Sequence, residues 1–426
     1  MAGIAAASDG DTVLVAASTY VENVDFGGKD IVMLGEDRET TIIDGNQSGR
    51  VITFSNGSSS TTPVLDGFTI RNGSAPEINE WPYCAGGGIF IDDSNEPTLR
   101  NLIITNNSAE SSQNGNWGWG GGIYPKSDFS LTNSVVSNNT SDNAAGIYAS
   151  GSFVANITNV TISGNTANRT HGGIYVNGNG HVLRNLIISD NRSLIWGGGG
   201  IGCYGSPVFY NCLIKNNTAQ QYGGAISTSN NPGPVFVNCT FVENTSGFGE
   251  EPDGAGLHVN AGEATFINCI IWDPGTEQFR FNGTHPHTVN FVNSIVKGGI
   301  ESIASMYNYS HNTINWDDAG NIDFNPLFAD STNGDFHLSA LSPGISAGIS
   351  STTVTHIDPW SDDYDVEYMV AEDDLDGNPR PNPDGSVLDI GAYESSYGVV
   401  PHFGPVWHVD GSVELPYGNG SSGAPF

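Results

Sequence analysis

Basic residues are scarce in this chain: 13 Lys and Arg stand against 46 Asp and Glu in 426 residues, a formal charge of −33. Phosphate binding requires a basic face, so nucleic acid is excluded as a partner. Long-range attraction of polyanionic sugars such as polyuronates is disfavoured for the same reason. Divalent cations are natural counter-ions for such a surface. No apolar run approaches the ~18 residues of a membrane span. Cysteines are few, at Cys84, Cys203, Cys212, Cys239 and Cys269, with no CxxC pair. Neither a zinc site nor a redox motif is indicated. Met1-Ala2-Gly3-Ile4 opens no charged stretch followed by an apolar one, so no signal peptide is visible. For a chain of extracellular character, that gives the expectation of an excerpt from something longer.

What is abundant is glycine, 56 residues, arranged with asparagine in a repeat. One column holds Asn101, Asn133, Asn159, Asn185, Asn211, Asn238, Asn268 and Asn293, about 26 residues apart apart from loop insertions. Asp66 is aligned with it one coil earlier. An apolar residue precedes each Asn by two places, from Leu99 to Phe291, and another follows by three, from Ile104 to Val296. A second Asn follows at plus six: Asn107, Asn139, Asn165, Asn191, Asn217 and Asn244, with Asn72 matched from Asp66. Each repeat also has a Gly-rich strand start, as in Gly120-Gly121-Gly122-Ile123 and Gly198-Gly199-Gly200-Ile201.

Short β-branched runs between Gly/Asn/Ser turns read as strands. A period near 26 is too short for a βαβ unit but fits one coil of three short strands, stacked on its neighbours about 4.8 Å apart. The expected fold is therefore all-β, a right-handed parallel β-helix, with a short helical cap before it. Stacked Asn amides donate to one coil and accept from the other, which makes the column Asn101 to Asn293 a structural ladder. Asn also tolerates the left-handed backbone of a tight turn. Turn and ladder duty outweighs glycosylation for the many Asn in N-x-Ser/Thr sequons. Cys212, Cys239 and Cys269 each follow a ladder Asn and are expected to stack as buried thiols; a disulfide between coils or a metal site is the alternative.

The Gly-Gly-x-Ile starts and Phe-x-Asn strands resemble the repeats of polymorphic outer-membrane proteins and of pectate-lyase-like β-helices, over about residues 60 to 300. That resemblance implies the fold and leaves activity open, because the fold hosts lyases, hydrolases, epimerases, adhesins and stalks. Asp11-Thr12-Val13-Leu14-Val15 is similar to the first strand of secreted β-helix proteins. Asn325-Pro326-Leu327-Phe328, Asp376-Gly377-Asn378-Pro379-Arg380 and Asp389-Ile390-Gly391-Ala392-Tyr393-Glu394 are similar to their C-terminal part, which implies a region closing the solenoid. The expected division is residues 1–300 for the capped helix, 301–402 for an irregular closing region and 403–426 for a linker. Residues 405–426 resemble the segment that opens such a domain, so the end of the chain reads into its own beginning. Tandem copies or head-to-tail filaments follow as an expectation, since exposed strand edges must be capped or paired.

A glycosidase needs two carboxylates across a bond. The doublets Asp92-Asp93, Asp317-Asp318, Asp362-Asp363 and Asp373-Asp374 are what an acidic chain shows by chance. No column of acids crosses adjacent coils, so no catalytic residue is nominated. A uronate lyase would want Lys or Arg beside calcium, and Lys126, Arg169, Arg184, Arg192 and Lys215 form no cluster. Asp373, Asp374 and Asp376 are candidate ligands for structural calcium, a cation that takes hard oxygen ligands in Asp-rich turns. The EF-hand pattern itself fails, with Gly385 at position twelve. Trp81, Trp117, Trp119, Trp196 and Tyr222, with His171 placed in the same column, are candidates for contact with sugar rings along one edge; shielding of the strand edge is the competing role. The expected function is an extracellular or cell-surface structural or adhesive module that contacts copies of itself or a polysaccharide. A carbohydrate-active enzyme of the pectate-lyase-like kind is the alternative.

Overall fold

The computed structural model describes residues 2–57, 62–78, 84–112, 116–230, 232–247, 256–275, 278–281, 287–304, 313–356 and 364–398. Strands of successive coils pair in parallel and in register, forming a right-handed solenoid of about 10 turns with about 26 residues per coil. One coil shows the plan. Phe129–Ser137 crosses two faces and turns between them at Asn133, whose φ is 50°. Thr140–Asn143 forms a short extra face, and Ile147–Ser150 forms the third.

Like residues stack on like because the register is kept from coil to coil. On the first face Leu99 pairs with Leu131, Ile157, Leu183, Phe209, Phe236, Phe266 and Phe291 in succession. The second face stacks Ile104 through Val296, and the third stacks Ile89 through Phe279. All three columns point into one continuous core. Each fully buried side chain contributes about 1.5–3 kcal/mol. The Phe rings of residues 209, 236, 266 and 291 stack 4.8 to 5.4 Å apart. A short helix, Ala2–Ala6, covers the first coil with Ile4 buried, and Lys29 Nζ donates to the carbonyls of Ile4 and Ala7.

The cysteines are free and buried. The Cys212 amide points at Cys239 Sγ, 3.4 Å away. Burial pushes the thiols of Cys212 and Cys239 far up, as an apolar stack requires.

Residues 328–356 and 364–398 lie back along the flank of the solenoid instead of stacking on its end. They carry two antiparallel hairpins, Phe328–Asp330 with Asp335–Leu338 and Ser351–His356 with Tyr364–Met369. The reason lies in the outward positions. Early coils present Ser130, Thr132, Asn156 and Thr158 there, whereas later ones present Val235, Val237 and Ile267. Val354 and Tyr368 cover that patch, and Leu338 with Ile390 covers Ile270 and Ile295. A strand apolar on both faces needs a second layer.

Candidate functional site

The two Asn columns differ in burial. Asn133 and Asn159 are exposed, Asn101, Asn185 and Asn293 half-buried, and Asn211, Asn238 and Asn268 buried. Amide-to-amide bonds of 3.0 to 3.2 Å link Asn159 to Asn133, Asn185 to Asn159 and Asn211 to Asn185. Beyond that the flank takes over. Asn238 donates to the carbonyls of Asp389 and Gly391, Asn268 to Ile349 and Asn293 to Ala347. The alignment of Asp66 slips by one residue. Asp66 pairs with Arg100, and Gly67, at φ 84°, takes the turn position opposite Asn101. The match of Asn72 to the second column slips likewise, and Gly73 opens that ladder by donating to Asn107 Oδ1.

The second column is the fully buried ladder, unbroken from Asn107 to Asn244. Each Nδ2 donates to the next Asn and to a carbonyl of the preceding coil, and each Oδ1 also accepts a backbone N–H. Asp273 ends it, its Oδ1 accepting two bonds from Asn244. Burial pushes Asp273 up to about 7, and its Oδ2 has no partner among the described residues.

A different ladder runs outside the core on the third face. Phe90, Tyr124, Tyr148 and Tyr175 stack at 5.1 to 5.8 Å with nearly parallel rings. Their column continues through Gly202, Ser227, His258 and Arg280. The column's own rings stop at Tyr175; the His171 ring, 4.8 Å from Tyr175, fills the place over Gly202, and the small Ser227 follows before His258. A cleft of about 380 Å³ opens there, bordered by His171, Trp196, Tyr204, Tyr222, Ser227 and His258. The sequence carries this column in the residue that follows each strand-start Ile, on the far side of the glycines from the aromatics that precede them.

That frame sorts the aromatic candidates. Trp119 tilts onto Tyr148 at 4.8 Å, and Arg169 lies over Trp117 at 4.2 Å. Tyr222 packs against His258 and Arg280, each 4.8 Å away. His171 is not in the aromatic column. It stands where Gly120, Gly198 and Gly223 stand, at φ 61°, a conformation that marks a constrained position for a non-glycine residue. Its ring lies over Gly202, where a Cβ would come within 2.0 Å of it. Trp196 is 47% exposed, and no described ring or cation covers it. It is the one candidate tryptophan that lines the cleft. Trp81 lies outside the described residues, as do residues 399–426.

In the cleft, Ser227 Oγ and His258 Nδ1 are 3.0 Å apart. Burial, with Arg280 and His287 nearby, pushes His258 down to about 3, and burial takes His171 to about 3. Burial thus favours the uncharged ring at both positions, and a base weakened in this way is unsuited to proton abstraction.

The candidate calcium ligands do not converge. Asp374 is buried, and its two oxygens accept from the amides of Asp376, Asn378 and Glu394 and from Asn378 Nδ2. Asp376 bonds His337 at 2.8 Å, and Asp373 contributes its carbonyl to Asn211. Among the described residues no three His, Cys, Asp or Glu side chains are grouped to hold a metal ion. The turn is instead organised by N–H donors and by the buried Arg380–Glu394 pair at 2.7 Å. Among the described residues no helix is long and apolar enough to cross a membrane.

The sequence profile of the right-handed beta helix region matches residues 145–318. This chain is a right-handed parallel β-helix. Among solved structures, the β-helix is similar to a pectin methylesterase from carrot, at 12% identity and a TM-score of 0.33 over 75% of this chain and 84% of that one. A DFA-IIIase variant from Arthrobacter chlorophenolicus A6 shares 12% identity at a TM-score of 0.34, over 73% and 76%. The receptor binding domain of the Siphovirus 9NA tailspike shares 12% at 0.27, over 88% and 89%. Likenesses this loose say nothing about what the β-helix binds. No curated protein matches it.

Proposed function

We propose that this β-helix is an extracellular carbohydrate-binding module, adhesive in role, which holds a sugar ring in the gap of its outer aromatic ladder. The observation that carries the reading is the cleft at Ser227, between the His171 ring that lies over Gly202 and His258, beside the half-exposed Trp196. A ring-shaped ligand there takes the place of a missing rung, against an aromatic wall with hydroxyl and amide groups around it. Clefts that combine apolar walls with a few convergent polar groups are the usual form of small-ligand sites.

Extending the ladder tests this. Ser227→Tyr should fill the gap and abolish glycan binding while circular dichroism and melting stay those of the parent chain. Trp196→Ala should weaken binding by about tenfold, equivalent to 1.4 kcal/mol. Unchanged glycan binding in both variants rules the site out.

The catalytic alternative calls for two carboxylates facing a groove. Asp373 and Asp376 do line a second groove, beside Asn159 and Asn185. Release of sugar products by the parent chain, lost in Asp373→Asn or Asp376→Asn, would favour it. For end-to-end assembly the relevant feature is strand Thr313–Trp316, which pairs with residues 288–291 on one side and with no described strand on the other. Electron microscopy showing isolated particles alone would count against filaments.

A further inference from the structure

The cleft is chemically unlike the rest of the molecule. The chain carries 46 acidic residues, yet no described residue lining the cleft bears a carboxylate or a cationic side chain. The polar groups on its side chains include hydroxyls, from Thr170, Ser227, Ser229 and the two tyrosines, with the Asn260 amide and the rings of His171 and His258. Hydroxyl and amide groups donate and accept at once, the pattern that sugar hydroxyls present in return. A ligand carboxylate entering here would meet a chain of charge −33 with no cation on the lining. The nearby guanidinium of Arg280 is already laid over the Tyr222 ring. An ammonium group would lose its water shell without gaining a described carboxylate. An uncharged ring loses little on desolvation, and its apolar C–H face matches the Trp196 indole.

We infer that the ring held in the cleft is an uncharged sugar, a neutral hexose unit of a polysaccharide, with uronates and free amino sugars rejected. This rests on the glycan-binding reading of the same site.

The test is calorimetric titration of the whole chain, and of its Trp196→Ala, Ser227→Tyr and Arg280→Gln variants, with three ligand sets. These are neutral hexose oligosaccharides of several linkages, oligogalacturonates and chitosan oligomers. The neutral set should contain the binder, and its affinity should change less than about twofold between about 50 and about 500 mM NaCl, since no charge pair is screened. Charged sets should bind at least about tenfold more weakly, a difference of 1.4 kcal/mol. Arg280→Gln should leave neutral binding nearly intact.

If a charged set binds at least as tightly as the neutral one, and Trp196→Ala and Ser227→Tyr abolish that binding, the site stands and its neutral class is wrong. If a neutral sugar binds but neither variant weakens it, the site itself is wrong. If none of the three sets binds, both readings fall.

Discussion

The two asparagine columns sit on neighbouring corners of the same coils, six residues apart in the chain, and they do different work. At the first corner the backbone needs a left-handed residue, with φ between 45° and 56° from Asn101 to Asn293. The side chains there bond each other near water or reach the flanking region. At the second corner each amide lies inside the solenoid, where its Oδ1 accepts a backbone N–H and its Nδ2 adds a bond to a carbonyl of the preceding coil. Identical side chains in equally regular columns therefore serve conformation in one case and hydrogen-bond satisfaction in the other. Burial separates the two roles: a polar group stranded in the interior costs far more than one returned to solvent.

The largest effect should come from the buried column. Asn165→Ala strands two donors of Asn139 and removes the second bond to the Val136 carbonyl, costing about 2–5 kcal/mol at about 1–3 kcal/mol per stranded group. A loss below about 1 kcal/mol in denaturant unfolding would erase the distinction between the corners.

Next is Asn238→Ala, at the stretch of the first column covered by the flank. It forfeits two bonds to the carbonyls of Asp389 and Gly391 and one from Asn268 Nδ2, and leaves Ala at φ 52°, for about 1–3 kcal/mol in all. Hydrogen exchange should quicken across residues 388–394 while coils 129–189 keep their protection. Uniform quickening would mean that the flank and solenoid unfold as one unit.

Asp273→Asn sharpens the comparison at the end of the buried ladder. The folded value of Asp273 is raised to about 7, so between about pH 4 and pH 7 the folded state holds more protons than the unfolded, and stability falls as pH rises through that window. The variant restores an amide donor where the unpartnered Oδ2 now sits. It should flatten the pH dependence and melt higher than the parent at pH 8. Unchanged slopes would place the proton elsewhere.

The smallest effect belongs to the exposed turn. Asn159→Gly keeps the backbone at ease and loses only two exposed side-chain bonds, a change within about 0.5 kcal/mol. Asn159→Ala should cost about 1 kcal/mol through its φ of 56°. Equal losses in the two variants would show that the exposed amide bonds, and not the backbone, set the cost.

The solenoid was legible because its period is written twice, in apolar columns and in asparagines, and a parallel stack converts sequence period directly into spatial register. The helix and the three core columns follow from that. The alignment slipped at Asp66, where Gly67 supplies the left-handed residue and breaks the asparagine pattern. It slipped again at His171, which hides in a glycine column. The cleft was harder to see. Trp196 and Tyr222 were visible as aromatics, but a gap is defined by what surrounds it. Gly202 and Ser227 mean nothing until Tyr175 and His258 are known to be their neighbours.

The calcium expectation shows the opposite limit: an acidic run has ligand chemistry, but Asp374 faces four N–H donors that lie up to 20 residues away in the chain.

By itself, the amino-acid sequence determined the coil, its register and the residues facing the core, since hydrophobic period and turn chemistry are local properties. Tertiary structure alone decided which asparagines are buried and where the C-terminal region lies. It also decided that the outer aromatic ladder breaks beside Trp196. Each of these depends on desolvation by partners from other coils or from the flank, and burial is a property of the packed chain.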